Sequence, residues 1–128
     1  MEFTLRVRMS NADAHYAGNL VAGAKILALF GDAATGLLVQ RDGDEGLFVA
    51  YDLVEFKAPV YAGDFIEVTA RLSREGRTSR GLEFEAYKIL ASRPDVAESA
   101  VDTLNEPVLV ARAVGTCVVP RERQRKEV

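Results

Sequence analysis

Phe3, Leu5, Val7 and Met9 alternate with Glu2, Thr4, Arg6 and Arg8 at the start of the chain. A period of two places the apolar members on one face, which predicts a strand with one side buried. From residue 19 to residue 40 the period lengthens. Ile26, Phe30, Ala33 and Leu37, with Leu27, Ala34 and Leu38, share one broad stripe at helical spacing, and a long helix is expected there. Asp42, Gly43, Asp44, Glu45 and Gly46 follow. Glycines among short acidic residues end a helix and turn the chain, so this run is predicted to be a solvated turn.

The remainder reads as strand. Segments 47–57, 65–72, 82–90 and 108–119 are rich in β-branched or aromatic residues, and Ile66, Val68, Ala70 and Leu72 alternate with polar or charged neighbours. Tyr61-Ala62-Gly63-Asp64 and Glu75-Gly76-Arg77 supply the tight connections of antiparallel neighbours. Residues 93–106 read as a longer polar connection, and residues 121–128 as a charged tail behind a domain spanning 1–120. The expected set is five strands and one main helix, an α+β chain. A helix of about 20 residues is roughly 30 Å long but only about 10 Å across, whereas five strands span roughly 24 Å. The sheet must therefore curl around the helix, and its edges need cover, which predicts at least a dimer with edge strands paired.

A chain of 128 residues has room for one domain with a real core. The net charge of -3 gives no basic field for a nucleic-acid backbone, so small molecules and further copies of the chain are the expected partners. One cysteine, Cys117, cannot form an internal disulfide, and no long apolar run marks a secretion signal or membrane span. A cytoplasmic location is expected. Cys117 lies between apolar residues of a strand and reads as a small buried hydrophobe rather than a nucleophile.

The run VEFKAPVYAGDFIEV at 54–68 resembles the second-strand, turn and third-strand signature of hot-dog acyl-CoA enzymes, with Pro59 ending one ladder and Gly63-Asp64 turning the chain back. Four further motifs, HYAGNLV at 15–21, LFGDAAT at 29–35, DGDEGLF at 42–48 and LNEPVLV at 104–110, resemble the 3-aminobutyryl-CoA and β-alanyl-CoA ammonia lyases. The likeness runs through Pro120. It implies a single hot-dog domain that acts on a coenzyme A thioester, removing ammonia reversibly from a β-aminoacyl-CoA to give the enoyl-CoA. In that family the step belongs to amino-acid fermentation, including lysine breakdown. It further implies a trimer of dimers, and no cofactor beyond the coenzyme A that the substrate carries.

Elimination needs a base for the proton beside the thioester carbonyl, donors for the enolate oxygen, and an acidic setting for the departing ammonium. Glu55 is the candidate base expected to contribute more than Asp32, because it sits between Val54 and Phe56 in an apolar strand, where desolvation would raise its proton affinity. Simple alternation puts it on one face with Tyr51 and Lys57. The alternative reading of Glu55 is a purely structural ion pair, with Lys57 or across subunits. Asp32 is the other candidate, lying roughly opposite the helix stripe on the side of Lys25, where water or a partner subunit would meet it. Related hot-dog thioesterases carry a helix carboxylate at the position that falls at Phe30 or Gly31 here, and neither residue can act as a base.

His15, the only histidine, precedes the helix, where it could orient substrate or donate to an enolate. Amides near Ala22 and Gly23 at the helix start could serve the carbonyl oxygen. Tyr16, Asn19 and Tyr51 complete the expected substrate contacts. For the coenzyme, Lys57 and the turn Arg77, Thr78, Ser79 and Arg80 offer donors to phosphate. Two rival readings share the fold: an acyl-CoA thioesterase, and a non-catalytic acyl-CoA-binding protein. The choice between 3-aminobutyryl-CoA and β-alanyl-CoA, which differ by one methyl group, stays open.

Overall fold

The computed structural model describes residues 1–126. Strand β1 spans Glu2–Arg8, followed by a small two-stranded ribbon, β2 (Ala14–Tyr16) with β3 (Leu20–Val21). Helix α1 runs Gly23–Asp42, and β4 (Leu47–Phe56), β5 (Phe65–Glu75), β6 (Ser79–Ser92) and β7 (Val101–Val118) complete the chain. The main sheet is antiparallel with order β1-β5-β6-β7-β4. The expected helix and five strands are therefore all present, as one α+β hot-dog domain.

Alternation works as predicted wherever the ladder is regular. Phe3, Leu5 and Val7 of β1, Ile66, Val68 and Ala70 of β5, and Leu82, Phe84 and Ala86 of β6 pack inward around the helix stripe of Ile26, Leu29, Phe30, Ala33, Leu37 and Leu38. The rings of Phe30 and Phe84 stack at 5.1 Å. The helix starts later than its period implied, at Gly23 rather than near Asn19, because two neighbours hold the preceding residues extended. Val21 donates to the Val60 carbonyl at 2.8 Å, and Leu20 bridges to both Tyr16 and Tyr61. At its other end Gly43 adopts the left-handed conformation, φ 74°, and its amide caps the Val39 carbonyl.

Two stretches depart from expectation. Residues 101–106, read as connection, belong to β7, where Val101, Asp102 and Thr103 pair with Ser92, Ala91 and Leu90. Their polarity misled because this end of the hairpin stands clear of the helix and is exposed. Arg93 ties it together through Asp95 and Asp102. Asp42 was expected in a solvated turn, yet it is fully buried. Arg80 reaches it with two hydrogen bonds of 3.0 Å, Arg41 adds a third, and the Arg80 guanidinium also donates to the carbonyls of Gly76 and Ser79. The tail joins the same cluster, with the Arg125 amide donating to the Asp42 carbonyl and Gln124 to those of Arg77 and Val119.

A carboxylate at a helix C-terminus opposes the helix dipole, so Asp42 is stable there only with its guanidinium partners. Asp42→Ala strands the buried Arg80 charge and should lower stability by about 3–5 kcal/mol, read as a shifted urea midpoint with an unchanged slope.

Candidate active site

Strand β4 decides what faces the helix. Its register against β7 slips twice, between Phe48 and Ala50 and between Tyr51 and Leu53. Each slip leaves one extra residue on β4, which resets the alternation of faces. Phe48, Tyr51, Val54 and Phe56 consequently lie opposite Cys117, Gly115, Ala113 and Ala111, on the helix side, whereas Glu55 lies opposite Arg112 on the outer side. Tyr51 and Glu55 are thus on opposite faces, contrary to the simple alternation. Tyr51 packs against Phe48 and Phe84, with ring centroids at 4.3 and 6.2 Å, and burial pushes its hydroxyl pKa up.

Glu55 is likewise not the desolvated carboxylate expected of an apolar strand. It accepts a 2.7 Å hydrogen bond from Arg112 and meets Lys57 at 3.4 Å, with about a third of its side chain exposed. Arg112, and Lys57 after it, hold its carboxyl below the usual glutamate range, the reverse of the shift a resting general base needs. Arg71 with Glu83 and Glu85, and Arg6 with Glu67, extend the same ionic lattice across the outer face.

The helix start opens onto a cleft of about 460 Å³ walled by Leu20, Val21, Gly23, Ile26, Phe56, Lys57, Pro59, Val60 and Val110. Lys57 alone among these side chains carries a charge. Gly23 and Lys57 are the predicted site residues gathered here, with Ala22 adjoining as the helix N-cap. The Lys25 amide donates to the Ala22 carbonyl at 3.0 Å, so the first-turn amides left without a helical carbonyl partner are those of Gly23 and Ala24. Asn19, at φ 62°, lines a second, polar cleft of about 540 Å³ with Arg8, Tyr61 and Ser99. His15 and Tyr16 are exposed on β2, edge to face at 4.7 Å. Asp32 is exposed on the helix side away from the sheet and stands roughly 13 Å along the axis from Gly23.

The coenzyme assignment for Arg80 is overturned, because its guanidinium is buried and spent on Asp42. Arg77, Thr78 and Ser79 share that β5–β6 turn, at the opposite end of the helix from the cleft. Phe56, Val60 and Val110 are cleft residues that the pattern of the chain did not single out; only the proline-ended strand pointed toward them. Burial raises the Cys117 thiol to about 11, so it stays protonated at neutral pH.

Residues 18–88 match the model of the thioesterase superfamily. The 3-aminobutyryl-CoA ammonia lyase of Acetoanaerobium sticklandii is 57% identical over 126 residues, covering 98% of this chain and 100% of that protein. The chain belongs to the ammonia-lyase family within the thioesterase superfamily. The β-alanyl-CoA:ammonia lyase of Clostridium propionicum has a similar structure, with a TM-score of 0.93 and 36% identity over 100% of this chain and 91% of that one. A hexameric hot-dog thioesterase of Campylobacter jejuni, at TM-score 0.75 and 21% identity over 97% of this chain and 87% of the other, shares the fold.

Removing the Arg112 partner should return the Glu55 pKa toward the ordinary value near 4.3. A depressed carboxylate pKa adds stability above the unfolded pKa and loses it as pH falls through the folded one. Arg112→Gln should therefore unfold more readily than the parent at pH 7, with the gap narrowing as pH falls below the ordinary glutamate range, and the upward shift of Glu55 is readable by carboxyl NMR titration.

Proposed function

We propose that the chain catalyses the reversible elimination of ammonia from a β-aminoacyl-CoA, giving the enoyl-CoA. The observation that carries this reading is the end-to-end likeness to an ammonia lyase, in a chain whose helix start opens onto an apolar cleft. The thioester carbonyl accepts from the first-turn amides of α1, whose dipole favours the negative charge that develops on that oxygen. A base takes the proton from the neighbouring carbon, the C–H pair becomes the double bond, and the C–N pair leaves with the nitrogen.

The base is Asp32 of a neighbouring copy. Glu55 points to the outer face and is held ionised by Arg112 and Lys57, whereas Asp32 has no ion-pair partner among the described residues and lies too far along its own helix to reach its own cleft. Assembly as a dimer at least, and as a trimer of dimers, would bring the two together. The edge strand β4 is open for pairing, with Leu47, Val49 and Phe56 exposed along it. The four-carbon 3-aminobutyryl-CoA is the preferred substrate, since the apolar cleft suits its methyl group. Lys57 at the cleft's rim and Arg77 of a neighbouring copy are the proposed coenzyme contacts, since the turn that carries Arg77 lies at the far end of its own helix, with His15 and Tyr16 on the neighbouring ribbon as substrate contacts. Among the described residues no helix is long and apolar enough to cross a membrane, and we place the enzyme in the cytoplasm.

With ammonia in excess, the protein should discharge the enoyl-thioester absorbance of crotonyl-CoA, and of acryloyl-CoA more slowly, without releasing free thiol. Steady absorbance with thiol appearing would favour the thioesterase reading. Asp32→Asn should lower turnover by roughly 10²–10⁴-fold, the range for a lost general base, and Glu55→Gln by far less.

A further inference from the structure

The ring of Phe56 rests on bare backbone. A Cβ built on Gly23 would come within 2.8 Å of two of its ring carbons, inside the contact distance of two carbons, so the first residue of α1 admits no side chain unless the ring moves. Phe56 is nevertheless 55% exposed, on the edge strand of the sheet. An aromatic so exposed adds little to the core, yet it closes one side of the cleft, of whose other apolar walls Val21, Ile26, Val60 and Val110 are buried while Leu20, Ala58 and Pro59 are not. Those four belong to the packed core and are costly to shift. Among the walls outside that core, Phe56 is the bulkiest and the one whose ring lies on the helix start.

We infer that Phe56 sets the size of the substituent the cleft admits on the β carbon, making it a specificity-determining residue for short-chain β-aminoacyl thioesters. The inference rests on the lyase reading above. With the thioester carbonyl on the first-turn amides, the β carbon lies only two bonds farther on, within reach of a ring that touches that same turn. A hydrogen or a methyl group on the β carbon fits beside the ring, and a propyl group meets it. Apolar pockets discriminate by about 10–200-fold for each methylene they reject or accept.

The test compares the parent protein with Phe56→Ala and the more conservative Phe56→Leu. Ammonia addition is measured as kcat/KM on crotonyl-CoA and trans-2-hexenoyl-CoA, and affinity is measured calorimetrically for butyryl-CoA and hexanoyl-CoA, which cannot react. In Phe56→Ala the six-carbon to four-carbon ratio should rise at least about tenfold in both readouts, with a smaller rise in Phe56→Leu. An unchanged ratio, or a parallel loss for both chain lengths, overturns the inference. A parent protein that adds no ammonia to either enoyl-CoA overturns the lyase reading, and the affinity ratio then decides separately on Phe56: a rise upholds its role as the pocket wall, and no change removes it.

Discussion

A sheet with only one helix to bury against must bring all its inward side chains onto a single stripe, and the edge strand is where that is hardest. β1, β5 and much of β6 meet the stripe by plain alternation. β4 meets it by two bulges that place Phe48, Tyr51, Val54 and Phe56 inward. Without them one alternation would run the whole length of the strand and put part of this apolar set on the outer face. The two slips cancel in parity, so Phe48, Val54 and Phe56 share the inner face with Glu55 outside it, and what the pair of bulges adds is Tyr51 on the inner face.

The two ends of α1 are fixed by different physics. At the C-terminal end a buried ion pair between Asp42 and Arg80 joins the helix to the β5–β6 turn, and the Arg125 amide and the Gln124 side chain tie the following residues to it. A pair so fully withdrawn from water contributes position more than net stability. At the N-terminal end the extended segment before Gly23 is held by Val60 and Tyr61, which leaves the first-turn amides facing an apolar cleft. A rigid helix with one end locked and the other opening on a cleft suits a reaction in which charge develops on a carbonyl oxygen held there.

Much of this was legible in the chain. The strand of residues 2–9, the helix stripe and the alternation at Ile66, Val68 and Ala70 each follow from periodicity, and the hot-dog fold and family follow from the motifs at 15–21, 29–35, 42–48 and 104–110. What periodicity cannot carry is parity across a bulge. An extra residue at Val49 or Asp52 leaves no mark in composition, so Glu55 reads as buried when it is not. Nor can local pattern reveal a partner 38 residues away. Asp42 sits in an acidic glycine-rich run and Arg80 in a basic turn, and each alone looks like solvated surface. The exposed end of the β6–β7 hairpin read as loop because its side chains are polar for want of anything to pack on.

The claim that this scaffold makes and breaks a C–N bond beside a thioester is tested most directly by following crotonyl-CoA and ammonia in deuterated water by NMR. The account predicts an intact thioester carrying nitrogen on the β carbon and one deuteron on the carbon next to the carbonyl. Free coenzyme A with crotonate, and no carbon-bound deuterium, would contradict it.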